Sequence, residues 1–467
     1  MTFTKFKSGL RLFRQALVGS STIDYTQGSI ARATFLLAVP MILEMAMESV
    51  FAIVDIFFVA GLGAEAVATV GLTEAVITLL YAMAMGLSMG TTALVARRIG
   101  EKNPQLASVS AVQALWLGGF VSVAVGVCGL LFGEDILRLM GAEAAVIETG
   151  KTYTTIMFGS CWTIMFLFLN NAIFRGAGDA SLAMRTLILA NGVNIVLDPC
   201  LIYGIGPFPE MGVTGAAVAT NIGRGLGALY GFYYLFGVSN RIQMSWGKLT
   251  LRLGILLTLL RISTGGILQM LIATASWVFL VRIVSEFGGD AVAGYTIAVR
   301  VMMFIILPAF GISNAVATLV GQNLGAKLPD RAEATVYKVM QYVSYYMVTT
   351  ALIVLLFNRG IVGFFTTEEA VVHYAILCLT IFSYGLVFFG ISASVVQAFN
   401  GAGDTMTPTW INFLCFWVVQ VPLAYVLAMV TGLGPEGVFW AVFVSDVLAG
   451  IVGLLVFRRG RWKLRTV

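Results

Sequence analysis

Long apolar runs broken by short polar turns recur along nearly the whole chain. A helix needs roughly 17 to 25 mostly apolar residues to cross a hydrocarbon core about 30 Å thick. Twelve stretches meet that length: 31–59, 67–95, 109–132, 147–172, 182–204, 213–236, 255–285, 292–320, 336–357, 369–399, 409–430 and 436–457. Only helices and closed barrels satisfy their backbone polar groups inside a bilayer, and runs of this length fit helices. The pattern predicts an all-α membrane protein of twelve transmembrane helices. It divides into a tail over 1–30, an N-lobe over 31–236, a linker over 237–254, a C-lobe over 255–457 and a basic tail over 458–467.

The second half repeats the first. At the offset that carries Gly63 onto Gly288, GAEAVA faces GGDAVA. In the same register Gly86, Ser88, Gly100 and Pro104 meet Gly311, Ser313, Gly325 and Pro329. Phe174 to Asp179 (FRGAGD) meets Phe399 to Asp404 (FNGAGD). Shared hydrophobicity alone does not align glycines and prolines this way, so the halves descend from a duplication. Six spans separate equivalent points. The two bundles therefore share one orientation, related by a pseudo-twofold axis along the membrane normal with the substrate path between them.

Composition supports the same picture: 59% of the 467 residues are hydrophobic and 11% are charged, against about a quarter charged in soluble domains. Most of the 28 Lys and Arg residues fall on one side of the alternating loops, whereas Arg138, Lys151, Arg282 and Arg359 fall on the other. Basic residues of short loops stay in the cytoplasm, so both termini are expected there and the chain in the cell's inner membrane. The linker holds Asn240, Arg241, Trp246, Lys248 and Arg252. In the first thirty residues Phe3, Phe6, Leu10, Phe13 and Leu17 recur at helical spacing among Lys5, Lys7, Arg11 and Arg14, with no apolar core and cleavage site to suggest a signal peptide. This tail suits either a helix lying on an anionic membrane face or a disordered basic segment.

One histidine, His373, and five cysteines without metal-ligand spacing leave no zinc site or nucleophilic triad. No enzyme activity, metal or cofactor is expected, nor a nucleic-acid partner. The acids within spans are then the informative residues. Glu44, Glu48, Asp55, Glu74 and Asp198 lie in the first half, and Asp446 alone in the second. The repeat provides a control, because Asp55 corresponds to Leu280, Asp198 to Leu423 and Glu44 to Gln269. A carboxylate at mid-bilayer costs about 2.5 to 3.5 kcal/mol on insertion scales, so an asymmetric one suggests function. Asn194 lies one turn before Asp198 on the same face. Together they could carry a proton or, with their oxygens, coordinate sodium. Glu44, Glu48 and Asp55 share one stripe of the first span, as candidate cation or substrate contacts with Gln269. Glu44 could equally sit solvated at one surface. Pro40 removes a backbone hydrogen bond and is a candidate hinge. Glu74 and Arg300 are a candidate structural ion pair, and the symmetric Asp179 and Asp404 suit helix caps.

The two six-helix halves, Pro40 with Asp55, the FRGAGD turn with its copy, and Asn194-Ile-Val-Leu-Asp198 resemble the MATE (multidrug and toxic compound extrusion) family, in its DinF-like prokaryotic branch. The resemblance implies alternating access, with a proton or a sodium ion exchanged for an organic, often aromatic, cation and the proton favoured. It carries the branch's cation site onto Asp55, Tyr153, Asn171, Asn194 and Asp198, and the bending proline onto Pro40. It further implies drug resistance as the role, membrane lipid as the surroundings and a monomer as the working unit. The alternative is a flippase for a lipid-linked sugar, whose cavity would need more Arg and Lys than the spans contain.

Overall fold

In a computed structural model of the chain, residues 2–19, 23–238, 241–242, 244–245 and 249–466 are described. Linker residues Asn240, Trp246 and Lys248 lie outside them, as do the side chains of Phe3, Lys5, Phe6 and Lys7. The described residues form helices without strands, in the order α1 (Thr2–Val18), α2 (Ile30–Ala60), α3 (Ala64–Gly100), α4 (Pro104–Leu139), α5 (Ala144–Gly159), α6 (Trp162–Ala177), α7 (Ala180–Tyr203) and α8 (Val213–Tyr233), then α9 (Leu253–Ser285), α10 (Gly289–Gly325), α11 (Pro329–Gly363), α12 (Glu369–Gly401), α13 (Met406–Asn412), α14 (Val421–Tyr425) and α15 (Pro435–Arg458). Among the described residues, ten spans are long and apolar enough to cross a membrane, with α5 and α6 counted as one and Met406–Val430 as another. Adding α2, with its buried acids, and α8, with Arg224, gives the expected twelve.

Local chemistry sets the boundaries. Asn103 caps α4 by accepting from the Leu106 amide at 2.9 Å, and Pro104 occupies the first turn, where its missing N–H costs nothing. Asp179 caps α7 through the Leu182 amide at 3.2 Å. Its repeat partner departs from the expected cap: Asp404 accepts from the Thr407 hydroxyl at 2.8 Å and from Arg465 at 3.2 Å. The C-terminal tail takes one of its oxygens. Among the described residues, the non-glycine positions with positive φ are Lys102 (56°) and Lys327 (61°), and the repeat offset carries one onto the other. Left-handed backbone is costly for a lysine, so its recurrence in both α3–α4 and α10–α11 turns marks the duplication in the backbone itself.

The amino-terminal segment is helical and docked. α1 packs on α2 and α7; Ala16 is buried, whereas Leu10, Phe13 and Val18 stay exposed. α2 to α8 form one lobe and α9 to α15 the other, and the contacts between them lie toward one end. α10 packs against α2 and α3, and α9 against α3. A Cβ on Gly86 would strike Ile267, one on Gly90 would stand 2.6 Å from the Ser263 hydroxyl, and one on Gly311 would stand 2.8 Å from the Ile42 backbone. Nearer the helix ends Gly100 meets the Gln322 carbonyl and Gly325 the Arg97 carbonyl. Thr318 and Gln322 donate to the carbonyls of Arg175 (2.9 Å) and Gly176 (3.0 Å). These residues occupy the half of the molecule that carries the basic loops and both tails. In the other half Thr296, Met303 and Phe304 of α10 and Ile53, Ile56 and Phe57 of α2 are exposed. The lobes are sealed at the basic end and parted at the other.

Candidate functional site

Four helices of the first lobe bring the conspicuous polar residues together. α7 presents Asn194 and Asp198, 2% and 0% exposed, on one face, and the Asn194 amide donates to Asp198 Oδ1 at 3.1 Å. α8 comes close because Gly223 has no side chain: a Cβ there would stand 3.1 Å from that of Asn194. The approach lets Asn194 Nδ2 reach the Thr220 hydroxyl, also at 3.1 Å. From α2, Asp55 is buried within electrostatic reach of Asp198. Tyr153 of α5 is buried, with the charges of Asp55 and Glu74 acting on it. Among the described residues, Asp198 Oδ2 and Asn194 Oδ1 have no hydrogen-bond partner. Buried oxygens are rarely left so, and a carboxylate and an amide oxygen on one face offer acceptors for a proton or a hard cation.

One buried cation stands beside this group. Arg224 of α8 hydrogen-bonds the Tyr81 hydroxyl and lies 5.4 Å from the Phe51 ring centre and 5.6 Å from that of Tyr81. It is within electrostatic reach of Glu48 and Asp55. A guanidinium keeps its charge and stacks on aromatic faces.

A second polar group lies deeper, toward the sealed end. Glu44, 2% exposed, accepts from Arg175 at 3.0 Å and from Asn171 at 3.3 Å. Eleven residues of α2 separate Glu44 from Asp55, about 16 Å along the axis. Asn171, expected beside Asp55, therefore belongs to the Glu44 group, and Glu44 is enclosed and ion-paired rather than solvated. Between the two groups, Glu48 accepts from Asn191 of α7 at 3.2 Å. The stripe expected on α2 faces one lobe along its length.

The expected Glu74–Arg300 pair does not form among the described residues. Both side chains are exposed, on the halves of α3 and α10 away from the seal; Glu74 instead feels Asp55 and Arg224. Pro40 is buried within an unbroken α2 where that helix packs on Gly311. The second lobe offers no equivalent site. Leu280, at the position matching Asp55, is wholly buried in an apolar core, and Leu423 packs against the same core. Gln269 is buried, and its Oε1 has no partner among the described residues. Asp446 lies against α12 where Gly385 makes room; a Cβ there would stand 3.3 Å from Oδ2. No group of three or more His, Cys, Asp and Glu suited to a metal ion occurs among the described residues.

Sequence reasoning missed Thr220, Asn191 and Arg175. Thr220 was signalled by lying one turn before Arg224 on the same face of α8. Arg175 was hidden in a glycine-rich turn that reads as surface.

The profile of the MatE family matches residues 40–200 and 266–426, once in each lobe. The chain is 28% identical over 447 residues to the probable multidrug resistance protein YoeA of Bacillus subtilis, covering 94% of this chain and 96% of that one. It is 27% identical over 431 residues to the probable multidrug resistance protein NorM of Thermotoga maritima, covering 92% and 93%. A solved outward-facing structure of a multidrug resistance MATE family transporter of the MOP superfamily superposes with a TM-score of 0.88 at 28% identity, covering 95% of this chain and 98% of that one.

Proposed function

The chain belongs to the MatE family of membrane transporters, and on that premise we propose that it is a cation-coupled antiporter that exports organic cationic drugs from the cytoplasm. The observation that carries this reading is the unpartnered Asp198 Oδ2 and Asn194 Oδ1, buried in one lobe beside Asp55 while the lobes part at one end. By the positive-inside rule the sealed basic end is cytoplasmic, so the structure stands open to the outside. In that state Asp55 and Asp198 take up a proton, or the acid and amide oxygens take up sodium, and the bound organic cation loses its counter-charge and leaves. Mutual exclusion at one site couples the two fluxes, because each ligand lowers the affinity for the other by the same factor. The proton is favoured because a carboxylic acid there needs no further ligands, whereas sodium would need several more oxygens. Pro40, beside the lobe contact, is the proposed hinge of α2.

Efflux of a fluorescent aromatic cation from proteoliposomes, driven separately by proton and sodium gradients, tests this reading. Wild type should respond to the proton gradient alone, and Asp198→Asn should lose that response at normal expression. Full gradient-driven efflux by Asp198→Asn would refute the site. Silence of folded wild type under both gradients would favour the flippase.

A further inference from the structure

Two cavities meet on the flank of the first lobe, away from the polar groups just described. One, of about 680 Å³, opens between α4, α6 and α8 and is walled by Trp116, Phe166, Leu229 and Phe232. The other, of about 980 Å³, lies at the basic end of α4, with Arg241 and Arg252 in its lining. Val112, Phe236 and Gly237 border both, so apolar space runs directly into polar space. The groove is deep at Gly119, where an added Cβ would find only the Phe166 ring, 3.8 Å away.

The described part of the linker is fastened across the junction. The Trp116 indole donates to the Leu249 carbonyl at 3.1 Å. Gln113 donates to the Thr250 carbonyl at 2.9 Å and accepts from the Arg252 amide at 2.8 Å. Arg252 is thereby held at the mouth. Its side chain is exposed and makes no hydrogen bond or ion pair among the described residues. Arg241 is committed to the Ala177 and Ile23 carbonyls, at 2.9 and 2.8 Å, and adds positive potential from behind. An apolar slot within the membrane that ends at guanidinium groups on its basic face complements an acyl chain joined to an anionic head group. The same charges repel an organic cation, which separates this place from the drug path.

We propose that this paired cavity is a binding site for one anionic glycerophospholipid of the cytoplasmic leaflet, its acyl chain between α4 and α8 and its phosphate at Arg252.

Nanodiscs holding equal amounts of phosphatidylglycerol and phosphatidylethanolamine, followed by native mass spectrometry of the released protein, test it directly. Wild type should retain one phosphatidylglycerol, preferred about five- to tenfold, the worth of one basic side chain at a membrane surface. Arg252→Gln should retain a lipid but lose the preference, and Gly119→Leu should lose retention of both. Should Gly119→Leu fail to fold, Leu229→Gln makes the same test from the opposite wall. Retention without a preference, a preference surviving Arg252→Gln, or unchanged retention when the groove is filled would each overturn the assignment.

Discussion

Glu44 and Arg175 hold opposite charges in a place with little water: their side chains are 3% and 15% exposed, 3.0 Å apart. Removing one partner of a buried pair strands the other, which typically costs about 3 to 5 kcal/mol. Arg175→Leu should therefore lower the unfolding temperature in detergent markedly. Adding Glu44→Gln to it should restore much of the loss; equal damage by the single and double variants would show that the charge pairing does not matter. The same residues show where the sequence was readable. Asn194 and Asp198 could be paired from their spacing, because four residues on a helix fix a shared face. Asn171 could not be placed with Glu44, since their contact joins helices separated by the whole course of α3, α4 and α5. Residue identity signals that a buried acid needs a partner and leaves open which helix supplies it.

Among elements, the lobe contact depends on glycines. Gly100 and Gly325 place backbone directly on the carbonyls of Gln322 and Arg97, where no side chain could be accommodated. Overpacking such a contact costs about 1 to 3 kcal/mol. Gly100→Val should therefore favour the state in which the basic ends separate. Spin labels at Lys102→Cys and Lys327→Cys, in protein whose exposed Cys128 is replaced by serine, should report a longer distance in this variant than in its parent. An unchanged distance would mean that the seal absorbs the added volume elsewhere. These glycines were visible at matching positions of the repeat, but residue spacing carries no measure of how close the helices come. The break between α5 and α6 was also hidden. An apolar run of span length surrounds Ser160 and Cys161, and periodicity does not register a single interrupted turn. The splitting of the Glu74–Arg300 pair has the same origin: a pseudo-symmetric alignment says which positions are equivalent, not which are in contact in one conformation.

On the scale of the whole molecule, both tails bind at the seal. Arg331 donates to the Gln27 carbonyl at 3.0 Å, and Arg97 to that of Arg465. Trp462 is buried and stacked on Phe457, and Lys463 pairs with Glu333. The hydrogen bond that the Lys463 ammonium donates to Glu333 holds it above its ordinary range. A raised lysine contributes fully below its unfolded value and is lost only as pH climbs through the folded one. The distance from a label at Leu464→Cys to one at Ala334→Cys should thus stay constant between about pH 6 and pH 9. Opening at the seal within that window would then originate from the membrane carboxylates. A tail that undocks in the same window would assign the pH response to the surface instead.

Because the lobes touch at one end only, each long helix acts as a lever. From Gly86, where contact begins, to Ala64 at the far tip, α3 runs 22 residues, about 33 Å. A rotation of about ten degrees at the seal therefore sweeps that tip through about 6 Å, while the contacts near the fulcrum shift by a small fraction of that distance. Motion that leaves the contact at Gly86 in place is enough to admit or exclude a flat ring at the mouth.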